Sequence, residues 1–335
     1  MDSQSDVQRV KEFHKETILK MANVVGLGTG FKEIAGRVTE DLCVVVLVRQ
    51  KVPRVSLDPQ DLVPSKIEGV LTDVVQVGEL RALQTRTGRW RPAPGGVSIG
   101  HFKISAGTLG TVVRDRDTDA RLILSNNHVM ANSNDAEPGD PILQPGAADG
   151  GRLRDDTLAV LERFVPLNFS VSPPDCPLAI GVAEAANVVA SLLGSKHRLQ
   201  ALQVDPAATN LVDAAVARPT EEDLVLDEIL ELGVVRETEP ASLGMDVRKS
   251  GRTTGLTTGK VTVLNATVNV TYDQNRVARF EDQIVSGPMS QGGDSGSLLV
   301  AGDSLRAVGL LFGGSNEATI FNPIQAVLDS LKVVL

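Results

Sequence analysis

The chain has 335 residues, 42% of them apolar, so it is long enough for two or three domains with real cores. Its 33 basic and 42 acidic residues leave a net charge of −9 with no dense basic stretch, which argues against nucleic acid or an anionic membrane surface as the main partner. No run of about 18 apolar residues offers a membrane span, the acidic, polar start Met1-Asp2-Ser3-Gln4-Ser5-Asp6 does not read as a secretory signal, and two distant cysteines, Cys43 and Cys176, suit a reducing cytoplasm better than a disulfide framework.

Aromatic residues make up only 3%, with one Trp and one Tyr, so packing must rely on Val, Leu, Ile and Ala. Residues 5–21 predict a helix, with Val7, Val10, Phe13, Ile18 and Leu19 on one apolar face. Strands are expected at Asn23–Phe31, Leu42–Arg49 and Gly69–Val77. The string Gly26-Leu27-Gly28-Thr29-Gly30 lacks the last glycine of a dinucleotide fingerprint and reads as strand. The basic, Pro/Gly-rich segment Arg86–Gly96 marks a domain boundary. Short strands and turns then follow to Phe164. Residues 165–209, with prolines at Pro166, Pro173, Pro174 and Pro177 and an alanine-rich helix from Ala179 to Leu193, read as an insertion. A strand at Asn210–Ala217 and an acidic connector at Pro219–Leu232 lead into further short strands, among them Gly259–Val263, Thr267–Tyr272 and Gln283–Ser286. Pro323–Val334 predicts a C-terminal helix.

Chemistry concentrates at three places. In Gln291-Gly292-Gly293-Asp294-Ser295-Gly296-Ser297 a serine stands between glycines after an aspartate, as a nucleophile turn requires, although the same string makes an ordinary turn. His128 follows the apolar Leu122-Ile123-Leu124, where a strand would deliver a general base or a packing histidine. Asp213 interrupts the apolar Leu211–Ala217 and must be paired if buried, or face water on an edge strand. His14 and His197 are expected to be solvated, and His101 has no evident partner. The order His128, Asp213, Ser295 is that of the chymotrypsin triad, distinct from the subtilisin and α/β-hydrolase orders.

From Gly96 onward the sequence resembles the chymotrypsin-like (trypsin-like) serine proteases. The residues that carry this are Ser125-Asn126-Asn127-His128-Val129, Val212-Asp213-Ala214-Ala215-Val216, Lys249-Ser250-Gly251-Arg252-Thr253-Thr254-Gly255, Gly292-Gly293-Asp294-Ser295-Gly296-Ser297 and Gly309-Leu310-Leu311-Phe312-Gly313-Gly314. The form Leu124-Ser125-Asn126-Asn127-His128-Val129 behind an N-terminal module is most similar to the narrow-leaf-type branch of plants and bacteria. The resemblance implies a mainly β chymotrypsin-like fold: a double antiparallel β-barrel with a small N-terminal α+β module and a C-terminal helix. The expected domains are the accessory module at 1–90, the first barrel at 91–218 with its insertion, and the second barrel with the helix at 219–335. It implies a serine endopeptidase that needs no cofactor or metal; the polar start and the cysteine usage place it inside the cell. His128, Asp213 and Ser295 would form the triad, and the N–H groups of Gly293 and Ser295 the oxyanion hole. Met289, Ser290, Phe312, Gly313 and Gly314 would bind substrate. The partner would be a protein or peptide substrate, with an apolar residue before the cleaved bond.

Several features depart from the secreted enzymes. Asn126 and Asn127 replace small residues before the histidine, and their amides would brace its loop. Phe312 stands where those enzymes have a serine that supports the aspartate, so Asp213 is expected to draw on backbone N–H groups. The family's disulfides are absent. Activation by cleavage at Arg86, Arg89 or Arg91 is set against competence without cleavage, which the unusual order Gly95-Gly96-Val97 favours. The N-terminal module is open to use as inhibitor, substrate receptor or surface for homo-oligomerisation. The competing reading is a silent protease-fold scaffold that binds peptides or proteins.

Overall fold

The structure, a computed structural model, describes residues 3–34, 36–78, 85–104, 106–273 and 275–335. The chain divides into two units, Met1–Gln84 and Thr85–Leu335.

In the first unit a helix, Gln4–Leu19, begins at a capping box: the Ser3 hydroxyl accepts from the Asp6 N–H, and the Asp6 carboxylate accepts from the Ser3 N–H. Val7, Val10 and Ile18 are buried, but Phe13 is 75% exposed. Phe13 sits about a third of a turn off the line through the buried residues. His14 lies on that line instead, and its Nε2 is 2.9 Å from Glu68 Oε1, so it is paired rather than solvated. The helix packs on a sheet ordered Val24–Ile34, Arg37–Val48, Val70–Gln76, Lys66–Ile67, through Val7, Val10, Val44 and Val70. The Gly26–Gly30 string lies within the first of these strands, paired to Cys43–Leu47.

The second unit is mainly β, as predicted, and holds two eight-stranded sheets. The first runs Val333–Val334, Thr111–Asp115, Arg121–Ser125, Ala215–Pro219, Thr157–Phe164, Pro141–Leu143, Ser98–His101, Gly107–Thr108. The second runs Gln203–Val204, Phe169–Ser172, Arg276–Ser286, Gly255–Asp273, Asp246–Gly251, Leu298–Ala301, Ala307–Gly314, Thr319–Pro323. The last of these also pairs antiparallel with Arg276–Ser286, which curls the sheet back onto itself. Leu122, Leu124 and Val216 of the first sheet, Leu298 and Leu310 of the second, and Ile324, Val327 and Leu331 of the C-terminal helix share one aliphatic core. This joint core fixes the edges of the two sheets that meet at the cleft, and truncating one such leucine to alanine typically costs about 2–5 kcal/mol.

Four expectations need correction. The basic segment 86–96 is no loose linker: Ala93–Gly95 is buried and pairs parallel with Val225–Ile229 of the acidic connector. Its arginines find acceptors, Arg86 on Gly96 O and Glu231, and Arg91 on Gln144. Gly255–Asp273 and Arg276–Ser286 pair as one long hairpin rather than as several short strands. Asn265 and Asp282, which read as turn residues, take positive φ inside it, and its register shifts repeatedly, as at bulges. Asp213 precedes the Ala215–Pro219 strand instead of lying in it. The C-terminal helix spans Ile324–Leu331 and stops at left-handed Lys332, so Val333–Val334 can pair with Arg114–Asp115. In the insertion, Phe169–Ser172 extends the second sheet, and the helix Pro177–Leu192 has no buried residue.

Candidate active site

The apolar strand Arg121–Ser125 ends at Asn126, which opens a short helix, Asn127–Met130, carrying His128. The two asparagine amides hold this turn. Asn126 Nδ2 donates to Asp213 O at 2.7 Å. Asn127 Nδ2 donates to Val165 O and to Asn134 Oδ1, both at 2.8 Å, and its Oδ1 accepts from the Asn134 N–H.

Asp213 is fully buried, so its carboxylate requires donors. His128 Nδ1 lies 2.6 Å from Asp213 Oδ2, and the His128 N–H donates to Oδ1 at 3.2 Å. With Nδ1–H given to Asp213, Nε2 is left as an acceptor. Phe312 indeed brings no hydroxyl, yet the support is not from backbone alone. The Tyr272 hydroxyl donates to Asp213 Oδ2 at 2.6 Å from the long hairpin. Burial, then the adjacent Asp213 carboxylate, raise the Tyr272 pKa well above the ordinary phenol value, so the hydroxyl keeps its proton. The Asp213 N–H is taken by Asn322 Oδ1 at 3.0 Å.

The nucleophile turn is fixed differently. Gly293 and Gly296 have φ of 97° and 95°. A Cβ on Gly296 would fall 2.1 Å from Ser125 Oγ, so only glycine fits there. Three carbonyls of the turn are held by threonines. Gly292 O accepts from Thr253 Oγ1, Gly293 O from Thr108 Oγ1, and Ser295 O from the Thr108 N–H, each at 2.8 Å. Among the described residues, the N–H groups of Gly293 and Ser295 have no acceptor, which leaves them available to a developing oxyanion.

Asp294 is buried beside Lys249, with Oδ2 3.2 Å from Nζ. It also accepts from the N–H groups of Thr253, Thr254 and Gln291 and from the Thr254 hydroxyl, at 2.6–3.1 Å. Burial works to raise its pKa; the Thr254 hydroxyl, the Lys249 charge and the backbone donors outweigh it and hold the carboxyl below its usual value. Burial, opposed by Asp294, draws Lys249 below the ordinary lysine range. The aspartate before the serine therefore has an internal cation as its partner.

His128, Tyr272, Ser290, Gly292, Ser295 and Phe312 line one cavity of about 430 Å³, with Gly313 and Gly314 along its wall. No hydrogen bond among the described residues joins Ser295 Oγ to His128; such contacts commonly tighten only when substrate binds. Met289 is not on this cavity. Its side chain is buried among Val247, Val261 and Leu299, because its N–H is tied to Thr319 Oγ1 and the chain turns it inward. Ser290 Oγ, 3.0 Å from Thr319 Oγ1, faces the cavity instead. His101, expected to lack a partner, is buried with Nε2 3.0 Å from Asp140 Oδ2, and His197 is exposed. A cavity of about 340 Å³ in the N-terminal unit holds none of these residues.

Sequence reasoning missed Tyr272, Lys249, Thr253 and Thr108. Two of them carried a signal: Lys249 and Thr253 stand in the Lys249–Gly255 string, and a buried Asp294 demands a cation. Nothing local marks Tyr272 or Thr108.

No protein-family model matches the chain. It is 38% identical to streptogrisin-A of Streptomyces griseus over 95 residues, which are 27% of this chain and 30% of that protein. It is 43% identical to serine protease 2 of Streptomyces fradiae over 77 residues, 23% of this chain and 41% of the other. The chain thus matches well under half the length of these relatives. Among solved structures, Nocardiopsis protease aligns at 18% identity with a TM-score of 0.46, over 72% of this chain and 99% of that one. Thermobifida fusca protease A aligns at 17% identity with a TM-score of 0.45, over 72% and 98%. With a mainly β unit of two antiparallel sheets, the chain resembles the chymotrypsin-like serine proteases.

Proposed function

We propose that the chain is a serine endopeptidase that hydrolyses peptide bonds through His128, Asp213 and Ser295. The observation that carries this reading is a buried Asp213 bonded to His128 Nδ1 at 2.6 Å, with Ser295 on the same cavity beside two unoccupied N–H groups. Ser295 Oγ attacks the scissile carbonyl, and His128 Nε2 takes its proton. Asp213 keeps the imidazole in that tautomer and stabilises the imidazolium. The N–H groups of Gly293 and Ser295 bind the oxyanion, each worth about 3 kcal/mol in the transition state. The proton on His128 then passes to the leaving amine, and water releases the acyl group by the same route reversed.

Substrate binds as an extended chain. Leu298–Ala301 pairs the neighbouring strand only as far as Leu310, so Phe312–Gly314 offers an edge along the cavity for a peptide. A fluorophosphonate probe labels Ser295 in the wild type and fails to label Ser295→Ala; a well-folded wild type that resists the probe overturns the proposal. An intracellular setting is supported by two free cysteines, one of them exposed. Fractionation of cells expressing the full chain tests it, and recovery outside the cell would count against it.

A further inference from the structure

Phe312 gives Asp213 no hydroxyl from the Ala307–Gly314 strand; its ring packs on Phe280 at 4.6 Å in a cluster with Leu167 and Ala278. The hydroxyl that does arrive comes from the far end of another element, at the tip of the Gly255–Asp273/Arg276–Ser286 hairpin. We propose that Tyr272 is a positioning residue for the acid–base pair, setting the orientation and charge of Asp213 and, through it, of His128. This rests on the serine-protease reading above.

The geometry supplies three reasons. Asp213 Oδ2 takes two short hydrogen bonds, from His128 Nδ1 and from Tyr272, both at 2.6 Å, so one oxygen is fixed from two sides. The Tyr272 ring is itself held, edge-on to His128 at 5.7 Å and to Phe169 at 5.8 Å, and tilted against Phe280 at 6.4 Å. The hairpin tip is clamped to the turn that follows the histidine helix. Arg276 donates to Ser133 O and Asp135 Oδ2, and its guanidinium lies 5.4 Å over the Phe169 ring. Phe169 belongs to the insertion strand that pairs with Val277 and Ala278. The insertion strand and the arginine clamp together seat Tyr272 against the aspartate.

A donor on a carboxylate withdraws part of the charge that the imidazolium would otherwise feel. Nearby, Asp273 and Arg276 on the hairpin and Asp135 on the facing turn are joined to one another rather than to Asp213. Removing the Tyr272 hydroxyl therefore leaves Asp213 Oδ2 held from one side only and a less well-aimed carboxylate behind His128.

The test is Tyr272→Phe in the full chain, which keeps the ring packing. The expected result is a kcat lowered about tenfold with KM within about twofold. The downfield NMR resonance of the His128 Nδ1–H proton, assigned by comparison with His128→Ala, shifts in Tyr272→Phe without any turnover. An unchanged kcat and an unshifted His128 Nδ1–H resonance overturn the inference, as does a loss confined to thermal stability. A chain that hydrolyses nothing but whose His128 Nδ1–H resonance shifts in Tyr272→Phe removes the protease reading and keeps the positioning role.

Discussion

The nucleophile half of the cleft draws most of its support from residues near one another in sequence, 249–255 and 291–297, linked by a buried Lys249–Asp294 pair and a web of threonine donors. The acid–base half is assembled from afar: His128 from the first sheet, Asp213 from the chain entering it, Tyr272 from a hairpin tip, and Asn322 from the last strand of the second sheet. The nucleophile half resists change by burying charge, which is costly to break and holds the turn in one conformation. The acid–base half relies on the mutual placement of four segments, and its errors appear in geometry before they appear in stability.

That contrast can be broken outright or sharpened. His128→Ala lowers kcat by roughly 10⁴–10⁶ with little change in KM or in melting temperature, which separates chemistry from folding in the acid–base half. Lys249→Met does the reverse on the other side. It strands the Asp294 charge and destabilises the fold by about 3–5 kcal/mol in denaturant unfolding, and adding Asp294→Asn recovers part of the loss. If Lys249→Met unfolds at the wild-type midpoint, the nucleophile half is not held by its charge pair. Gly293→Ala places a Cβ 2.5 Å from Arg252 Nη1 and Thr253 Oγ1 at a φ of 97°. It turns the peptide and lowers kcat about 10²–10³-fold, measured as burst and steady-state rates.

Smaller effects refine the picture. Thr253→Val removes the bond to Gly292 O and lowers kcat about tenfold while leaving KM unchanged. A pH series isolates Asp294. Its folded pKa lies below the unfolded value of about 3.9, so its contribution is complete above that value and is lost as pH falls through the depressed folded value. The stability difference between wild type and Asp294→Asn therefore shrinks as unfolding is followed from about pH 6 toward pH 2. A constant difference across that range would place the stabilisation elsewhere.

Much of the site was legible because its motifs are local. Glycines flanking Ser295 announce a turn that only glycine can make, and the apolar run before His128 announces the strand that delivers it. Asp213 was marked by the cost of burying a lone carboxylate, although its place just ahead of the strand was not. Spacing from Ser295 gives Met289 proximity but not which way its side chain turns, and the structure packs it among Val247, Val261 and Leu299. The long hairpin was read as fragments because bulge residues and turn residues share the same chemistry.

By itself, the sequence determined the mainly β class, the order of the three triad candidates and the glycine-bound turn, since these depend on alternation, residue type and spacing along the chain. Only the tertiary structure decided that Tyr272 reaches Asp213, that Lys249 neutralises Asp294 and that Thr108 and Thr253 turn the carbonyls of the nucleophile turn aside. Each of these is a contact between segments whose approach is set by sheet pairing and a shared core, and a hydrogen bond across such a gap leaves no periodicity in the chain that makes it.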